Sequence, residues 1–148
     1  MPTITKRGRG LLERKDSTRW PSLMFWVKIY RSSHRYRVRL FQTRALMMRY
    51  AKRNRLPVGE YAVAACVSEM TRRRDIGELL FSLDDVSVST VAHECQHALV
   101  HVAMQTRWNL DVKSEAHEHF CEATGRMIGE VYWRCHGVRP RFRSERMG

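Results

Sequence analysis

Residues 91–101 read VAHECQHALVH, and within them His93, Glu94 and His97 form the pattern His-Glu-x-x-His. Residues four apart on a helix stand one turn above each other, so both imidazoles can reach a single ion. Glu94 lies about 100° round the helix from His93. From there it can hold a water on the ion without being a ligand. Two neutral ring nitrogens for zinc and a carboxylate as general base make up the chemistry of metal-assisted hydrolysis. His101 is one turn beyond His97 and about 12 Å along the axis from His93, and it reads as a supporting or surface histidine.

A catalytic zinc takes three protein ligands and keeps one position open. Candidates for the third follow in SEAHEHFCEATGRMIGEVYW, residues 114–133: Glu115, His117, Glu118, His119 and Glu122. On a helical wheel Ala116, Phe120, Cys121, Ala123, Met127, Ile128, Val131 and Cys135 form the apolar stripe. Glu118 sits at its edge, in line with Gly125, Gly129, Tyr132 and His136. Glycines in line with a carboxylate permit close helix approach, so Glu118 ranks first as third ligand, then His117, then Glu115. Glu122 can orient an imidazole by hydrogen bonding. Tyr132, His136, His117 and Arg126 are candidate donors to an oxyanion.

HECQH followed about twenty residues later by HEHFCEATG resembles the short zincin-like metallopeptidases of the gluzincin type encoded in phages and prophages. Their pattern is an HExxH helix and then a helix whose early glutamate lies seven residues before a glycine; here these are Glu118 and Gly125. The likeness spans about residues 76–133 and departs from the usual form at Glu122, where an aromatic residue is common. It implies one Zn2+ per chain on His93, His97 and Glu118, with Glu94 as the catalytic base; it supplies no substrate, and the site chemistry leads to the expectation of peptide-bond hydrolysis on a peptide or protein. It also implies that strand 78–83 lies at the sheet edge, where it can pair with an extended peptide.

The elements that must position these residues are readable as patterns. LMFWVKIY (23–30) and RYRVRLF (35–41) flank the polar turn RSSH and predict an antiparallel hairpin. Arg35, Arg37 and Arg39 alternate with Tyr36, Val38 and Leu40, which predicts an arginine row facing solvent. Residues 43–54 suit a helix ended by Pro57 and Gly59. YAVAACV (61–67) and ELLFSL (78–83) are strand candidates. Asp84, Asp85 and Ser87 offer caps for a helix over 87–106, and a last helix runs over 114–136. In the histidine helix Val88, Val91, Ala92, Cys95, Ala98, Leu99 and Val102 form a stripe expected to lie on the sheet. Val100 and Met104 flank the histidines on the other side, so a further element is expected to pack there.

The length of 148 residues suits one domain: a basic arm over 1–20, a zincin-like domain over 21–137 and a basic tail over 138–148. The expected class is α+β, a small antiparallel sheet with helices packed on one face and the metal between the last two helices. No window of about 18 apolar residues exists, and the N-terminus has no apolar core of a signal peptide. Both point to the cytoplasm, that of the host if the chain is phage-encoded. Cys66, Cys95, Cys121 and Cys135 form no metal or disulfide spacing and read as free thiols. The net charge of +12 is uneven: residues 1–60 carry 16 Lys and Arg against 3 Asp and Glu, and residues 61–148 carry 11 against 12. That asymmetry suggests nucleic acid as a partner. The alternative function is therefore a nucleic-acid-binding protein. It would use Arg35, Arg37 and Arg39, with Trp26, Lys28 and Tyr30, and have a structural zinc site closed by His117 or Glu122.

Overall fold

The computed structural model describes residues 23–69, 73–111 and 113–137. The expected arm over 1–20 and tail over 138–148 lie outside them. The hairpin forms as its alternation demands. Strands β1 (Leu23–Lys28) and β2 (Arg35–Phe41) pair antiparallel, with Phe25 opposite Val38 and Val27 opposite Tyr36. These four side chains bury on one face of the sheet.

Helix α1 (Arg44–Arg53) follows directly, its first turn capped by Thr43, whose hydroxyl accepts the Leu46 N–H at 3.2 Å. The chain then forms β3 (Ala65–Ser68) and β4 (Asp75–Ser82). Strand β4 runs parallel to β2 and antiparallel to β3, giving the order β1-β2-β4-β3. The class is α+β as expected, but the sheet is mixed rather than antiparallel. The cause is the connection from β2, which passes through α1 and the oppositely directed β3 before the chain turns back into β4.

Helices also cover both faces rather than one. Leu79 and Phe81 of β4 point into the main core with Tyr36, Val38 and the last two helices. Leu80, with Ala65 and Phe41, points the other way and packs on Met47 and Ala51 of α1. Adjacent residues of one strand face opposite ways, so an apolar run such as ELLFS needs a cover on each side.

Helix α2 (Val88–Thr106) starts at Ser87, whose hydroxyl accepts the Thr90 N–H at 3.1 Å. It ends at Arg107 in a left-handed conformation, φ 55°. Helix α3 (Glu115–Cys135) starts at Ser114, which accepts the His117 N–H at 3.1 Å. The two helices form an antiparallel pair. At one end Trp108 meets Phe120 edge-on, ring centroids 6.4 Å apart. At the other, His136 Nε2 donates to the Val86 carbonyl at 3.1 Å.

Candidate metal centre

Burial of Val91, Cys95, Ala98, Leu99 and Val102 fixes the rotation of α2 and turns His93 and His97 outward. The two Nε2 atoms face each other at 3.1 Å, the rings edge to face. With zinc–nitrogen bonds of about 2.05 Å, that separation subtends about 98° at a shared ion, near the tetrahedral value. The pair therefore fits a single zinc. Val88, expected on the sheet, is exposed because it stands in the first turn of α2, and Val100 and Met104 are exposed as well. The element expected to pack beside the histidines is not found among the described residues.

Glu94 is the buried member of the motif, 8% exposed. It turns toward the sheet and meets β3, where the Cys66 backbone N–H stabilises its charged form. Burial raises its pKa above the ordinary carboxylate value, with His93, His97 and that N–H acting against the rise. The neighbouring Cys66 thiol is pushed up to about 11 by burial, so it stays protonated near neutral pH.

Two clefts flank Glu94. One, of about 340 Å³, runs past His97 and His101 along Ala64, Cys66 and Ser68. The other, of about 420 Å³, runs past His93 along Tyr61, Val63 and Thr90. Strand β3 and the segment before it are thus the wall of the site, a role sequence reading missed. Residues 61–64, expected in a strand, precede it. The edge position assigned to 78–83 belongs to β3, because β4 is paired on both sides. His101 ties α2 to this wall, its Nε2 at 3.1 Å from the Glu69 carbonyl.

The expected third ligand is not beside the pair. Among the described residues no group of three His, Cys, Asp or Glu stands together as an ion-binding set. The antiparallel register explains this. Trp108 lies level with Phe120 and Val86 with His136, so Glu118 falls roughly 15 Å beyond His97 along the helix pair, at 1.5 Å per residue. Glu118 is exposed there. A Cβ placed on Gly125 would touch nothing within 4 Å, so that glycine serves no close helix approach. The other candidates have partners elsewhere: His119 meets Glu115 on α3 and Arg31 of the hairpin turn, and Glu122 pairs with Arg126 at 3.2 Å. His117 has its ring nitrogen 4.0 Å from the Cys121 sulfur. Of the oxyanion candidates, His136 is engaged by Val86, Tyr132 packs against the His136 ring at a tilt of 54°, and Arg126 lies over the Tyr30 ring.

The arginine row is consumed internally. Arg35 pairs with Asp75, and Arg39 donates to Glu78 at 2.7 Å with its guanidinium over Tyr50. Arg35 and Arg37 both lie over Trp26, at 3.8 and 4.3 Å from its centroid. The row is half-buried, not open to solvent as expected. Tyr30 lies beyond the end of β1, over Arg31 and Arg126. No protein-family model, curated protein or solved structure matches this chain.

Proposed function

We propose that the chain is a zinc-dependent hydrolase of peptide bonds in which His93 and His97 hold the ion and Glu94 is the general base. One juxtaposition supports this: the paired Nε2 atoms, the buried Glu94 and the edge strand β3 meet along one open surface. Zinc, when bound, supplies Lewis-acid activation of water and of a carbonyl. Glu94 takes a proton from the attacking water and delivers it to the leaving amine as the C–N bond breaks. Its raised pKa suits this work, since a base is most effective when its pKa lies near the working pH. In this reading the backbone groups on the open edge of β3, other than the Cys66 N–H taken by Glu94, pair with an extended peptide.

The test is zinc content and peptide turnover, on protein purified without a metal-binding tag. Wild type should carry about one zinc and His97→Ala should lose it. Glu94→Gln should keep its zinc and lose at least about 100-fold in turnover. A folded wild type that takes up no zinc, or a Glu94→Gln variant that cleaves at the wild-type rate, would overturn the reading.

A further inference from the structure

The chain is electrically two-sided. Residues 23–59 carry ten Lys and Arg, and no Asp or Glu occurs between Asp16 and Glu60. These residues form β1, β2, α1 and the loop after it. Residues 60–137 carry 7 Lys and Arg against 12 Asp and Glu, and form the other half of the sheet, α2 and α3. The excess positive charge therefore gathers on the α1 side of the sheet, across the sheet from α2 and its histidines.

On that side the exposed cations are not those of the arginine row. Arg49 and Lys52 stand on the outer face of α1, whose inner face is fixed by buried Met47 and Ala51. Arg55 follows just after the helix, and Lys28 is exposed on the uncovered part of the same sheet face. Among the described residues no ion pair engages Arg49, Lys52 or Arg55. Cations left without acidic partners on one face are what an anionic polymer needs, because each phosphate they neutralise releases a counterion.

We infer that the outer face of α1, with Lys28 and Arg55, is a docking surface for the phosphate backbone of duplex nucleic acid. Single strands are bound largely by stacking bases on open aromatic faces, and the rings on this side are taken. Trp26 carries Arg35 and Arg37, while Tyr50 packs on Phe41, lies under Arg39 and donates to Glu78. A membrane surface would need a cluster of apolar side chains beside the cations, whereas α1 carries none of the exposed large apolar residues and Met24, on the sheet face of Lys28, is engaged by Arg39. Backbone charge without base contact predicts binding that ignores sequence and depends steeply on salt.

The experiment is fluorescence anisotropy of the full chain on a labelled 20-bp duplex between about 50 and 200 mM salt. Arg49→Gln/Lys52→Gln removes two exposed charges while keeping good helix formers. If both touch phosphate, the log–log salt slope falls in magnitude by about 1.8, so the affinity lost across that salt range shrinks by about 12-fold. Lys113→Gln, in the loop between α2 and α3, should leave the slope unchanged, and all variants should keep their zinc content. Unchanged affinity and slope in the double variant would overturn the inference. So would tighter binding to a single strand of equal length, or binding to phosphatidylcholine vesicles with about 30% phosphatidylserine but not to the duplex.

Discussion

Gly77 links the fold to the site, and its replacement tests that link. A Cβ added at Gly77 would fall well inside contact with the Val67 carbonyl oxygen, 2.7 Å from Tyr36 Cε1 and 3.1 Å from Ser68 Cα. Carbon atoms in contact sit about 3.5–4.0 Å apart, so the Tyr36 ring would have to retreat by about 1 Å. It has nowhere to go. Tyr36 is fully buried in the main core, and its hydroxyl bonds Ser68 Oγ at 2.7 Å. The strain must therefore push β3 off β4, and β3 carries the Cys66 N–H that Glu94 faces. Overpacking of this kind costs about 1–3 kcal/mol. For 148 residues at about 2.1 cal/mol/K per residue, each kcal/mol lowers Tm by about 3 °C. Gly77→Ala should thus lower Tm by about 3–10 °C, read by calorimetry on metal-free protein. It should also cut peptide turnover by more than it cuts zinc uptake, because the wall moves while α2 stays on the core. A variant within 1 °C of wild type would show that β3 is not held as described.

Three further outcomes follow from the same geometry. Zinc at about 100 times its Kd should stabilise the protein by about 2.7 kcal/mol, or about 9 °C. That shift should survive in Glu118→Ala and vanish in His97→Ala; the family resemblance implies its loss in both, so one titration decides between the two arrangements. Burial raises the Glu94 pKa, so the metal-free protein suffers no ionisation cost below the unfolded carboxylate pKa and bears it in full once pH passes the raised folded pKa. Glu94→Gln should accordingly gain stability over wild type at pH 7.5 and not at pH 4, measured by urea unfolding; an equal difference at both would refute the burial argument. Ser87→Ala removes the acceptor for the Thr90 N–H and should cost about 1 kcal/mol in the same assay, whereas an unchanged midpoint would mean that the cap adds nothing.

What was legible in the sequence was local, and what was not depended on residues far apart. The hairpin follows from the alternation of Tyr36, Val38 and Leu40, and both long helices start at the serines their caps require. The HExxH face is equally local: burial of Cys95 and Leu99 turns His93 and His97 outward, whatever surrounds them. By contrast, the arginine row looks solvated in one dimension because Asp75 and Glu78, its partners, lie 40 and 39 residues away. The start of β3 at Ala65 was hidden because Tyr61, Val63 and Ala65 alternate equally well on both sides of the boundary. The third ligand exposes a deeper limit. A wheel gives the angle of Glu118 round α3 but not its level along α2. That level is set by where the two helices are joined, and the contacts of Trp108 with Phe120 and of His136 with Val86 fix it. Drawing Glu118 toward His97 would mean sliding α3 by several turns and pulling Ala123, Met127 and Val131 out of the core. At roughly 1.5–3 kcal/mol for each large apolar side chain exposed, one further ligand on the ion would have to outweigh the main packing of the helix pair. In the function proposed above, the ion is therefore held by the histidine pair and faces the β3 wall.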